Sequence, residues 1–143
     1  AEAKLAASRP GSCELVIAAD TVVVHGGKII GKPRSDSEAL AMLQELCGSE
    51  HHVATGVALA FPDGTHKAFA DSCAVRFAPW DEASLRAYVA TGECRDKAGA
   101  YAIQGQGAFL VESISGCWST VVGLPIERVT RIFVTGGWLL PAV

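Results

Sequence analysis

Two turn signals constrain the fold of this chain more than any other feature. The first is Gly26-Gly27 between Val22-Val23-Val24-His25 and Lys28-Ile29-Ile30, and the second is Pro62-Asp63-Gly64 between His52 to Phe61 and Thr65 to Phe77. A Gly-Gly pair takes the positive φ angles of a two-residue hairpin, so the first break predicts a tight antiparallel pair. The second predicts a longer one, because both flanks are rich in β-branched and aromatic residues. Upstream, Glu14 to Ala19 is a short apolar run preceded by Arg9-Pro10-Gly11-Ser12, the pattern of a buried strand opened by a turn. On this reading Asp20 stands between that strand and the hairpin, and pairing of the hairpin arms carries Lys32 back toward it.

Between these runs the period changes to helical. Ser35-Asp36-Ser37-Glu38 has an N-cap serine with a glutamate three residues later, and Ala39, Leu40, Met42, Leu43 and Leu46 follow at helical spacing before Gly48. Asp81 to Thr91 places Leu85, Tyr88 and Val89 on one side and stops at Gly92. Ala1 to Ser8 is alanine-rich and helix-prone, Ala108 to Ile114 predicts a further strand, and Pro125 suits the first turn of a last helix through Ile126, Val129, Ile132 and Phe133. Strands interleaved with helices and hairpins predict an α/β fold, a mixed twisted sheet with flanking helices rather than a purely parallel one.

Composition narrows the function classes. With 143 residues, 50% hydrophobic and 19% charged, the chain has the makings of a single domain with a real core, and disorder is excluded as a description of it. No apolar stretch approaches the roughly 20 residues of a membrane helix. The formal charge of −3 without a basic cluster argues against a nucleic-acid surface. Cys13, Cys47, Cys73, Cys94 and Cys117 are odd in number and form no C-x-x-C pair, which suits reduced thiols in a cytoplasmic protein. His25, His51, His52 and His66 fall in or beside the hairpin segments and read as solvated or core-edge residues.

Chemistry-bearing residues are gathered where apolar runs stop. Four islands stand out: Ala19-Asp20-Thr21; Gly31-Lys32-Pro33-Arg34; Asp96-Lys97-Ala98-Gly99-Ala100-Tyr101 with Ile103-Gln104-Gly105; and Val122-Gly123-Leu124-Pro125. A carboxylate, several cations, an amide and glycine-rich backbone are what handling a metal-bound phosphate ester requires. Locally each island also has an ordinary explanation. Asp20 can cap a turn, Lys32 and Arg34 can sit on a solvated loop, Asp96 and Lys97 can form an exposed pair, and Gln104 can face solvent. No G-x-x-x-x-G-K-[ST] loop occurs.

Taken in order, I-A-A-D-T-V-V, G-K-P, T-G-V, D-K-A-G-A-Y, I-Q-G and V-V-G-L-P resemble the Maf family of nucleoside triphosphate pyrophosphatases over nearly the whole chain. The resemblance implies an elongated, two-lobed architecture with a central cleft for the nucleotide, and a homodimer. It implies hydrolysis of the α–β phosphoanhydride by water, with Asp20 as general base and Lys32 and Lys97 on the phosphates. Mg²⁺ or Mn²⁺ is the implied cofactor, its ligands unassigned. Thr21 and Gln104 match the branch that prefers dTTP and UTP. Family members open with a strand and a Ser/Arg-rich loop for which no counterpart is found here, so the expectation is one Maf-like domain over residues 1–143 lacking that segment. A nucleotide-binding or regulatory protein without efficient catalysis is the alternative, and a structural fragment pairing through an uncovered strand edge a third. One departure is Thr120, where the family often has Asn; it keeps a hydroxyl and loses the amide.

Overall fold

The computed structural model describes residues 1–8 and 14–139. The turn Arg9-Pro10-Gly11-Ser12 and Cys13 lie outside them. In chain order the elements are α1 (Glu2–Ser8), β1 (Val16–His25), β2 (Lys28–Ile30), α2 (Asp36–Leu46), β3 (Glu50–Ala60), β4 (His66–Phe77), α3 (Glu82–Ala90), β5 (Val111–Ser115), α4 (Trp118–Val122) and α5 (Ile126–Thr135), with 3₁₀ turns at Ala98–Ala100 and Gly105–Leu110.

Both turn signals act as expected. His25 pairs with Lys28 around Gly26 and Gly27, whose φ angles are 54° and 77°. β3 and β4 pair from Ala60↔His66 down to Glu50↔Arg76. The sheet order is β2-β1-β3-β4-β5, and each of these pairings is antiparallel. The α/β architecture with flanking helices therefore rests on two hairpins, β1–β2 and β3–β4, with β1 pairing to β3 across α2 and β4 to β5 after α3.

Helix ends follow from their caps. Ser35 Oγ accepts from Glu38 N at 3.2 Å, while the Glu38 carboxylate reaches one residue further back, to Arg34 N at 2.7 Å. Asp81 accepts from Ser84 N at 2.8 Å to open α3. Gly48 and Gly92, at φ 67° and 78°, terminate α2 and α3.

Two hydrophobic clusters lie on one face of the sheet. Leu40, Leu43 and Leu46 of α2 and Leu85 and Val89 of α3 pack on Val53, Val75 and Phe77. Val129 of α5 packs on Val57, Leu59 and Phe61. Alternate residues of a strand share a face, so Val53, Thr55 and Val57 point the same way. Thr55 thus marks the boundary between the two clusters. On the other face Leu5 of α1 covers Ala58 and Ala60.

Three expectations need correction. β1 does not stop at Ala19 but runs through Asp20, which pairs with Gly56; the Asp20 side chain is 51% exposed, so the strand continues without burying a charge. β5 begins at Val111 because Gly105–Leu110 forms a 3₁₀ turn. α5 is preceded by a separate short helix, α4, which the sequence pattern does not signal. His51 is not at the core edge: it is 1% exposed, its Nε2 lies 2.8 Å from Tyr101 Oη, and its Nδ1 has no hydrogen-bond partner among the described residues. No helix among the described residues is long and apolar enough to cross a membrane.

Candidate active site

β2 pairs only with Val23–His25 of β1, so Asp20 and Thr21 stand on a stretch of β1 whose outer edge has no strand partner among the described residues. A cavity of about 290 Å³ opens there. Asp20, Thr21, Lys32, Lys97 and Gln104 all line it. The sequence spreads these five residues over three islands, and the fold gathers them. Asp96 and Lys4 line it too.

Lys4, on α1, was not singled out by the sequence because an alanine-rich helix gives it no motif. Its Nζ bonds the Asp20 carboxylate and, at 3.3 Å, the Ala19 carbonyl. That bond and the Lys4 charge, with Lys32 adding to them, hold the Asp20 carboxyl below its ordinary 3.8. Lys97 Nζ donates to Asp96 at 2.7 Å. This bond and charge, again with Lys32 behind them, hold Asp96 below 3.8 as well. Both carboxylates are therefore ionised near neutral pH and paired with lysine in open solvent, where such pairs are weak and exchangeable. Arg34 and Arg95 are not among the lining residues; Arg95 grips Asp36 through two bonds of 3.1 Å.

The Asp96–Gly107 segment is held from below. Gly99 N donates to Gly31 O at 3.0 Å, tying the segment to the residue before Lys32. Gly99 has φ 72°, and a Cβ there would sit 3.1 Å from Val23 Cγ2, so both the backbone conformation and the tight approach favour glycine. Ala100 follows, fully buried in the left-handed region at φ 58°. Tyr101 then turns into the core, its ring 4.7 Å from that of Phe77 and its hydroxyl on His51. Burial, with the charges of His25 and His52 adding, lowers the His51 imidazole to about 4, so it is neutral at physiological pH. Beyond Gln104, Glu93 accepts from Gln106 N at 2.9 Å and Gly107 N at 2.8 Å. Burial pushes the Glu93 carboxyl up, but these backbone bonds prevail and keep it below 4.5. Glu93 too escaped the sequence reading, since nothing in Gly92-Glu93-Cys94 announces a partner thirteen residues away.

A hydroxyl network supports the cavity at Thr21. Thr21 Oγ1 lies 2.8 Å from Thr55 Oγ1, Thr55 donates to Thr120 O at 2.7 Å, and the Thr120 hydroxyl donates to Asp71. Thr55 and Thr120 are fully buried and neither is among the lining residues. The hydroxyl at position 120 therefore anchors α4 to β4 rather than facing the cavity. The Thr-Gly-Val triplet at 55–57 was the available signal for Thr55. No group of three or more His, Cys, Asp or Glu side chains suited to a metal occurs among the described residues.

One cavity thus unites residues from every motif of the sequence except T-G-V, and the model of the Maf-like protein family matches residues 1–135. The chain belongs to this family. It is 49% identical over 142 residues to the dTTP/UTP pyrophosphatase of Nitratidesulfovibrio vulgaris, covering 96% of this chain and 66% of that protein. It is 49% identical over 123 residues to the dTTP/UTP pyrophosphatase of Geobacillus sp., covering 86% and 66%. It is 50% identical over 117 residues to that of Alcanivorax borkumensis, covering 82% and 60%. The Maf-like chain spans about two thirds of the length of the first two relatives and less of the third.

Proposed function

We propose that this chain is a nucleoside triphosphate pyrophosphatase that hydrolyses dTTP or UTP to the monophosphate and pyrophosphate, and that it works in the cytoplasm as a homodimer. The observation that carries this reading is the convergence of Asp20, Thr21, Lys32, Lys97 and Gln104 on one cavity. The names of the relatives point to the same substrates.

In this reading water attacks the α-phosphorus, the bond from that phosphorus to the bridging oxygen breaks, and pyrophosphate leaves with the electron pair. Asp20 takes the water's proton. Its pairing with Lys4 keeps it ionised but lowers its basicity, so engagement of Lys4 by phosphate raises the basicity when substrate arrives. Lys32 and Lys97 neutralise the charge that develops on the phosphate oxygens. Thr21 and Gln104 contact the base; a primary amide offers both a donor and an acceptor to an imide edge.

Asp20 and Asp96, two oxygen-donor carboxylates lining one cavity, would suit a small hard cation. Mg²⁺ or Mn²⁺ so bound would offset phosphate charge. Asp20 and Asp96 are the residues proposed to touch it.

The test is pyrophosphate release from a panel of nucleoside triphosphates with Mg²⁺ or Mn²⁺, with Asp20→Asn as control. Release from dTTP or UTP that the substitution abolishes supports the reading. Binding without release from any nucleotide leaves a nucleotide-binding Maf-like protein instead. Gln104→Ala is expected to change the preference for uracil over purine nucleotides more than phosphate affinity. An unchanged preference removes Gln104 from base recognition.

A further inference from the structure

Thr21 and Thr55 each carry a single hydroxyl proton, and the geometry assigns both. Thr55 Oγ1 is 2.7 Å from the Thr120 carbonyl oxygen, which has no proton to offer, so Thr55 must donate to it. The same Thr55 oxygen is 2.8 Å from Thr21 Oγ1. With the Thr55 proton committed, only Thr21 can be the donor in that contact. Thr21 therefore turns its proton into the protein and presents only lone pairs to the cavity that it lines.

The arrangement is fixed from behind. In a longer helix Leu124 N–H would bond Thr120 O, but α4 ends at Val122 and Leu124 N–H goes to Ser119 O at 2.9 Å. The Thr120 hydroxyl is bound to the Asp71 carboxylate, which locks the residue in place. Removal of the Thr55 proton would leave the Thr120 carbonyl facing a buried oxygen or methyl group, an unfavourable state.

We infer that Thr55, which lies outside the cavity, is a positioning residue that makes Thr21 an obligate hydrogen-bond acceptor, so that the site selects ligands presenting a donor there. This deepens the nucleotide reading above and rests on a nucleoside occupying this cavity. The donor that fits is the imide N3–H of uracil or thymine; cytosine has a bare N3 acceptor at the same position and meets lone pair with lone pair. A ribose hydroxyl is the other donor a pyrimidine nucleotide carries.

The experiment is calorimetric binding of UMP, CMP and 3′-deoxy-UMP to the native chain, Thr55→Val and Thr55→Ser. Monophosphates make the readout independent of hydrolysis, so a failed pyrophosphatase assay and a failed Thr55 assignment are separate results. In the native chain UMP is expected to bind at least about tenfold more tightly than CMP, the scale of one hydrogen bond lost with its partner left unpaired. In Thr55→Val the hydroxyl of Thr21 is free to turn and donate, so the ratio is expected to fall toward one. Thr55→Ser keeps the proton and should restore it. Should Thr55→Val fail to fold, Thr21→Val removes the acceptor directly and is expected to collapse the same ratio. If 3′-deoxy-UMP instead shows the loss, and Thr55→Val relieves it, the acceptor role holds and the donor is the sugar. A UMP to CMP ratio and a 3′-deoxy effect that are both identical in native and Thr55→Val protein overturn the assignment, as does failure of all three nucleotides to bind.

Discussion

Two polar assemblies meet at the cavity and obey opposite rules. Lys4–Asp20 and Lys97–Asp96 are exposed; the four side chains range from 43% to 74% accessible. Thr55, Thr120 and His51 are at most 1% exposed. In water an ion pair exchanges partners at little cost, so the exposed pairs stabilise the fold weakly and are free to rearrange around an incoming phosphate. In the interior a polar group without its partner loses hydration and regains nothing, so the buried hydroxyls are fixed in direction. Charge at this site is adjustable, whereas hydrogen-bond polarity is built in.

The sharpest way to break this comparison is at Asp20. Asp20→Asn is expected to lower turnover by at least about 10²-fold, the scale of a lost general base, with little change in melting temperature. A large loss of stability with unchanged turnover would place Asp20 among the structural groups instead.

His51 tests the buried side. Its folded imidazole titrates at about 4, below the 6.5 of an unperturbed histidine, so the unfolded chain takes up the proton first. The contribution is complete above about pH 6.5, falls as pH drops toward about 4 and is level below that. The loss over this window is on the order of 3 kcal/mol, and denaturant titrations of His51→Gln should show it largely removed. Equal acid sensitivity in both proteins would assign the loss elsewhere. Thr55→Val is expected to cost about 1–3 kcal/mol, because it leaves the Thr120 carbonyl without its donor; chemical denaturation measures it, and a neutral result would mean that water replaces the hydroxyl.

The smallest effect is expected at Lys4. Lys4→Ala should change stability by no more than about 1 kcal/mol. It should nonetheless let the Asp20 carboxyl rise toward 3.8, because the largest influence lowering it is gone. An NMR titration of that carboxyl reads the shift, and an unmoved value would show that Lys4 does not control it.

Much of the fold was legible locally. Gly26-Gly27, Pro62-Asp63-Gly64, the Ser35 and Asp81 caps and the Gly48 and Gly92 stops set turns and helix ends through φ preferences and capping bonds that act within a few residues. The five proposed site residues were also visible, because charged and amide side chains at the ends of apolar runs lack an obvious burial role. The end of β1 is not legible locally, because Asp20 looks like a strand terminator until β3 supplies its partner. Likewise Ala108–Leu110, which the sequence pattern assigns to a strand, closes the Gly105–Leu110 turn: the close approach of Gly105 and Gly107 to Glu93, Tyr88 and Ala102 outweighs the β preference of Phe109 and Leu110.

By itself, then, the amino-acid order determined which segments turn, which pair as hairpins and which side chains are available for chemistry, since those depend on neighbours a few bonds away. Only the tertiary structure decided that α1 brings Lys4 to Asp20, that Gly99 docks on Val23, and that Thr55 points its proton at Thr120. Those contacts join residues 16 to 76 positions apart. At such separations the packing of the whole sheet, not local propensity, sets which groups meet and which way a hydrogen bond runs.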